Sequence, residues 1–238
     1  TQPHRWYDYD FAVQLSGRLQ SDLHTHFSLY KKLGTGYFNQ LYAHVRLYFL
    51  DILAGIKPIN YESIDPLLSS GSMLISSNSQ PIPRITIGID DYIPFPGLYG
   101  YIELKGCITY GWLPDNVYIE GCCYHHKYAA LRFGGRLPVN ISYEFHHVAQ
   151  WGGFSPVYGD LGNNWNAFMN ALLVRSGGSM ATDQINAQGN HIGSQILTLD
   201  IKGNKWKVSA YWQNIFEDGP IKFIGFGMNS LDGLWGIN

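Results

Sequence analysis

No stretch of this 238-residue chain approaches the ~18 consecutive apolar residues of a membrane-crossing helix, so any membrane span must be built from strands. Charge is scarce too. Asp, Glu, Lys and Arg supply 14% of the residues, against roughly 25% in an average soluble domain. A formal net charge of −2 gives no reason to expect nucleic acid as a partner. The three cysteines, Cys107, Cys122 and Cys123, form neither a disulfide framework nor a zinc pattern. On a strand Cys122 and Cys123 point to opposite faces, so ordinary packing is the role expected of them. The chain starts at Thr1 with no initiator Met and no signal peptide, from which a processed or truncated chain is expected.

Aromatic residues, by contrast, are abundant: 17 Tyr, 12 Phe and 7 Trp, or 15% of the chain. Few charges combined with many aromatics suit a surface that meets lipid. Between Phe38 and Phe49 the chain alternates without a slip. Leu41, Ala43, Val45, Leu47 and Phe49 share one face, and Gln40, Tyr42, His44, Arg46 and Tyr48 the other. Globular strands usually run about 5–6 residues, whereas a tilted strand crossing a bilayer needs roughly 9–11. The same alternation recurs over Gly100–Tyr110, Val139–Gln150 and Lys205–Gln213, with aromatics near the strand ends. A soluble sandwich or barrel also alternates, and remains the competing architecture.

Strands are expected at Arg5–Leu19, His26–Lys32, Phe38–Phe49, Asp51–Pro58, Ile85–Ile89, Gly97–Trp112, Val117–His126, Lys127–Arg136, Val139–Gln150, Ile192–Ile201, Lys205–Phe216 and Ile221–Met228. One short helix is expected between Gly162 and Gly177, where Trp165, Phe168, Met169 and Leu172 recur at helical spacing. Asn163 or Asn164 would cap its start and Gly177 would end it. The final segment, Leu231–Asn238, has the composition of a loop. Residues 1–238 form a single all-β domain in this reading: an antiparallel transmembrane β-barrel with one loop helix and about a dozen strands.

Several loop strings are more specific than alternation. They are Leu68-Ser69-Ser70-Gly71-Ser72-Met73-Leu74-Ile75-Ser76-Ser77-Asn78, Pro81-Ile82-Pro83-Arg84-Ile85, His126-Lys127-Tyr128, His147-Val148-Ala149-Gln150-Trp151-Gly152-Gly153, Gln188-Gly189-Asn190-His191-Ile192-Gly193-Ser194, Phe216-Glu217-Asp218 and Asp232-Gly233-Leu234-Trp235-Gly236. In this order and spacing they resemble the capsule-assembly Wzi family, outer-membrane β-barrels of Gram-negative bacteria, from about Phe38 onward. The resemblance implies a porin-sized barrel, roughly 16–18 strands, so strands are missing here at one or both ends. It also implies a lectin-like, non-catalytic role at the cell exterior, with capsular or other surface polysaccharide as ligand. Outer-membrane lipid would surround the barrel, and no cofactor is implied.

The residues permit that role on their own chemistry. Sugars are held by flat aromatic faces with amide, imidazole and carboxylate partners. Gln150, Trp151, His191, Glu217, Asp218 and Trp235 are therefore the candidate polysaccharide-binding residues, and the alternative is that they only pack loops. Arg46, Arg84, Glu103, Lys105, Glu144, His146, Lys205 and Lys207 are expected to line the barrel interior, since charge is costly against lipid. Leu41, Val45, Leu47, Leu104, Ile108, Ile141, Phe145, Val208 and Trp212 are expected to face lipid.

Nine histidines raise the question of a metal, but adjacent histidines on a strand diverge and no third ligand is fixed beside His24 and His26, so none is expected. No nucleophile elbow, phosphate loop or metalloprotease helix occurs. The carboxylate pairs Asp90-Asp91 and Glu217-Asp218 leave a barrel-embedded hydrolase as a minority reading. A third possibility is a barrel subunit within a larger assembly of outer-membrane proteins.

Overall fold

Period-two alternation is realised as long antiparallel strands. The computed structural model describes residues 7–17, 36–59, 69, 71–76, 79–113, 118–178, 180, 183–184, 187–217 and 233–238, with 7–17 and 36–39 described by their backbone. The strands expected at His26–Lys32 and Ile221–Met228, and the candidate Asp218, lie outside the described residues.

The protein is all-β with one short helix. Its strands are β1 (Tyr7–Gly17), β2 (Gly36–Leu47), β3 (Leu50–Ile56), β4 (Pro83–Pro94), β5 (Ile102–Trp112), β6 (Cys123–Phe133), β7 (Val139–Trp151), β8 (Phe154–Ser155) and β9 (Gly159–Asp160). Helix α1 (Trp165–Leu173) follows, then β10 (Asn190–Lys202), β11 (Lys207–Glu217) and β12 (Leu234–Ile237). Ten of these strands form one antiparallel sheet in the order β1-β2-β3-β4-β5-β6-β7-β10-β11-β12, and β8 pairs with β9 separately. Among the described residues the large sheet is not closed into a barrel; β1 and β12 are its edges.

Because neighbours in the sheet follow one another along the chain, its connections sort onto two ends. Residues 48–49, 95–101, 134–138 and 203–206 make short turns at one end, the turn end. Residues 57–82, 113–122 and 152–189 make longer connections at the opposite, loop end.

The register assigns every strand residue to one of two faces. Leu41, Val45, Ile52, Ile87, Ile108, Leu131, Ile141, Leu197, Leu199 and Val208 share one face across neighbouring strands. All of these but Ile52 are large apolar side chains left exposed, Ile108 at 55%. Leu47 is exposed on the same face, where Leu104, Phe145 and Trp212 are half-buried. The opposite face is polar and buried: Asp51, Arg84, Thr86, Lys105, Thr109, His126, Asn140, Ser142, Glu144, His146, Ser194, Thr198 and Gln213. A water-soluble domain buries its apolar face, and this sheet does the reverse. Exposed aromatics gather at the turn end, with Tyr48, Phe49, Phe95, Tyr99, Tyr101, Phe133 and Trp206 all in or beside the short turns.

The apolar face is covered at its loop end. There α1 packs on β7, and Ala167 and Ala171 close over Cys123, Ala149 and Trp151, with Tyr110 and Phe168 alongside. The helix starts at Asn164, whose side chain accepts from the Ala167 N–H at 2.9 Å. It ends earlier than Gly177. Val174 takes the left-handed conformation at φ 56°, and its N–H reaches the Asn170 carbonyl. The Lys127 ammonium donates to the Leu172 carbonyl, a cation placed at the negative end of the helix.

That contact also explains a difference from the sequence expectation. The expected break between His126 and Lys127 does not exist, because β6 runs unbroken from Cys123 to Phe133. The polar His125-His126-Lys127 run is strand with both faces covered. The expected terminal loop is a correction of the same kind: Leu234–Ile237 is a strand, registered against Ala210–Gln213 of β11.

Candidate functional site

Two regions bring chemistry together: a network on the polar face and a cavity at the loop end. The network begins on β2 and β3, where Asp51 accepts from Arg46 Nε at 2.7 Å and lies 2.9 Å from His44 Nε2. Arg46 also reaches Asp91 at 2.8 Å. On β5 and β7, Lys105 Nζ is 3.7 Å from Glu144 Oε1, and Glu144 Oε2 is 3.3 Å from His146 Nε2. His146 stacks on Tyr128 with ring centroids 4.8 Å apart and meets His126 at 3.3 Å. Arg132 pairs with Glu103 at 2.5 Å and covers the Tyr92 ring. Burying charge is costly unless an opposite charge answers it, and each of these charged groups has an ion-pair partner.

Of the residues expected in a barrel interior, Arg46, Arg84, Glu103, Lys105, Glu144 and His146 all lie on this polar face. Lys205 does not. It sits exposed in the 203–206 turn, beyond the strand ends. Lys207 begins β11, is exposed, and reaches Asp200 at 3.1 Å.

The adjacent histidine pairs split across the sheet. His126 and His146 belong to the polar face, while His125, against Phe168 of α1, and His147 point to the other face. His191 joins that second group. Its Nε2 lies 2.9 Å from the Gln188 carbonyl, to which it can only donate, so in the neutral ring Nδ1 accepts from His147 Nε2 at 3.1 Å.

The loop-end cavity has a volume of about 410 Å³, and its lining includes Tyr118, Gln150, Trp151, Tyr158, Asp183 and Asn190. Gly152 and Gly153 form its turn at φ 69° and 88°. A Cβ on Gly153 would stand 2.6 Å from the Glu120 carbonyl oxygen, so this turn requires glycine. Asn163 accepts from the Gly153 N–H at 2.8 Å, and Glu120 and Phe154 exchange backbone hydrogen bonds, tying the rim together.

Five of the six candidate polysaccharide residues are described, and the structure separates them. Gln150 is exposed beside the cavity, and Trp151 forms its wall, packed between Tyr110 and Phe168 and only 5% exposed. His191 is buried against His147 and the Gln188 carbonyl. Glu217 is exposed at the loop end of β11. Trp235 is exposed on the apolar face, registered against Trp212 and well down the sheet from Gln150. Tyr118 and Tyr158 were not singled out from sequence. They are exposed aromatic rings on the cavity rim, and no periodic pattern marks them.

Among the described residues, His44, Asp51 and Asp90 could hold a metal ion, their ligand atoms lying within 4.8 Å of one another. The Asp51 carboxylate already accepts from Arg46, a cation that competes with any metal for the same oxygen. No known protein family, no curated protein and no solved structure matches this chain.

Proposed function

We propose that this chain belongs to an outer-membrane β-barrel that binds or anchors capsular or other surface polysaccharide without catalysing a reaction. One observation carries the membrane half: a sheet with an exposed apolar face and a buried polar face. Lipid in contact with the first and a polar lumen behind the second satisfy both, as in transmembrane barrels. Short turns at one end and longer loops at the other match the periplasmic and extracellular connections of such barrels, and the aromatics at the turn end would form an interfacial girdle.

The polysaccharide half rests on the resemblance to the capsule-assembly Wzi family and on the loop-end cavity. Tyr118 and Tyr158 offer faces for stacking, and Gln150, Asn190 and Asp183 offer hydrogen bonds, at the end that would face outward. A second reading is a barrel subunit of a larger outer-membrane assembly, whose partners would meet β1 and β12, the sheet edges among the described residues.

The test is to fold the full chain into phospholipid vesicles and measure retention of purified capsular polysaccharide. The proposal expects detergent-extractable, heat-modifiable protein that retains polysaccharide on the vesicles. Bilayer insertion without retention moves the subunit reading ahead, and failure to insert overturns both.

A further inference from the structure

A second cavity, of about 280 Å³, opens on the polar face against β3, β4 and β5. It lies just under the about 300–1,000 Å³ usual for small-molecule sites, which suits one sugar ring. Its lining carries the cations Lys57, Arg84 and Lys105 against the carboxylates Asp51 and Asp90. These charges are not evenly answered. Asp51 has Arg46 and His44 within 3 Å, and Lys105 faces Glu144. Among the described residues Arg84 has only neutral partners, donating to the Lys57 and Pro58 carbonyls. It is 3% exposed, and its Nε has no hydrogen-bond partner among the described residues. Lys57 lies over the Tyr42 ring, a contact that leaves its charge intact. A buried guanidinium with an idle N–H donor and, among the described residues, no ion-pair partner is costly unless an anion completes it. Arg84 begins β4 and Lys57 follows β3, so this unanswered charge sits at the loop end of the cavity.

We infer that this cavity binds the carboxylate of a hexuronic acid, so that the polysaccharide recognised is an acidic one. The carboxylate would meet Arg84 and Lys57, the ring would lie along Thr86 and Tyr128, and the hydroxyls would reach Asp51. Arg recognises planar carboxylates through paired N–H donors, a geometry a lysine cannot reproduce. The inference rests on the polysaccharide-binding reading and adds to it a ligand class and a second site.

The test measures equilibrium binding of glucuronate, glucose and inorganic phosphate to the full chain folded in detergent micelles, with Arg84→Gln and Lys57→Gln as variants. Glucuronate should bind at least about tenfold tighter than glucose, as expected for a hydrogen bond to a charged group. Each variant should remove that preference by weakening glucuronate binding to the level of glucose. Lys57 is the safeguard if Arg84→Gln does not fold, because the Lys57 side chain makes no hydrogen bond that the fold uses among the described residues. Equal binding of glucuronate and glucose overturns the inference and leaves the polysaccharide reading standing. Phosphate binding tighter than glucuronate, with the same dependence on Arg84 and Lys57, overturns it in favour of a simple anion site. Failure of glucuronate to bind a chain that retains neutral polysaccharide on vesicles also overturns it alone, and loss of all glycan binding overturns both.

Discussion

Lys105 of β5 and Glu144 of β7 face each other at 3.7 Å across the intervening strand, directly over Ala130. Strands two apart are separated by about 9–10 Å, so only long side chains meeting above a short one can make this contact. Ala130 is 1% exposed and therefore acts as the spacer. Ala130→Leu should drive the pair apart and cost about 1–3 kcal/mol through overpacking. Denaturant titration of the folded protein would register the loss.

Removing one member of the pair should cost more than removing both. Glu144→Gln leaves the Lys105 ammonium buried beside an uncharged amide, and breaking a buried pair in this way costs about 3–5 kcal/mol. The double variant Lys105→Met with Glu144→Leu removes both charges and should recover much of that loss. Equal destabilisation by the single and double variants would show that shape, rather than charge compensation, sets the stability here.

Trp151 and Trp235 should behave differently. Trp151 is a core anchor between Tyr110 and Phe168, so Trp151→Ala should cost about 3–5 kcal/mol. Trp235 is 73% exposed and contacts Trp212 with centroids 6.3 Å apart. Trp235→Ala should cost only about 0.5–1.5 kcal/mol, the worth of an aromatic pair. Unfolding curves of the two single variants distinguish these outcomes. They also show that loss of polysaccharide binding in Trp151→Ala alone would not identify a sugar contact.

Tyr118 and Tyr158 offer the cleaner test of the loop-end cavity. Both rings are exposed, so replacement by Ala should leave stability within about 0.5 kcal/mol. Each replacement should weaken polysaccharide binding by roughly 1 kcal/mol if the ring stacks on a sugar. Binding isotherms on vesicles measure this, and two silent substitutions would remove the cavity from the account.

Much of the fold was legible because period-two alternation survives from β2 through β11, and it correctly paired Ile108 and Ile141 with one face and Glu144 and His146 with the other. It failed where tertiary covering overrides the pattern. His125 and Lys127 lie on the otherwise apolar face, and only α1, reaching Lys127 through the Leu172 carbonyl, makes those polar residues acceptable there. Trp151 looked like a loop residue for the same reason, since nothing in its spacing announces a helix above it, and nothing in the spacing of His191 announces the Gln188 carbonyl that holds it. Val174 ends that helix without glycine, and β12, at four residues, is too short for alternation to reveal.

We propose above all that the exposed apolar face meets lipid. Its most direct test is spin-label accessibility in vesicles, in a background with the three buried cysteines replaced. Single labels would be placed at Ile108, Ile141 and Leu199 on the apolar face, and at Thr109, Ser142 and Thr198 on the polar face. Alternation along each strand is expected: the first set relaxed by oxygen dissolved in the bilayer and shielded from a water-soluble nickel reagent, the second set not relaxed by bilayer oxygen. Ile108, Ile141 and Leu199 shielded from both reagents, as when packed between two sheets, or open to nickel, would contradict it.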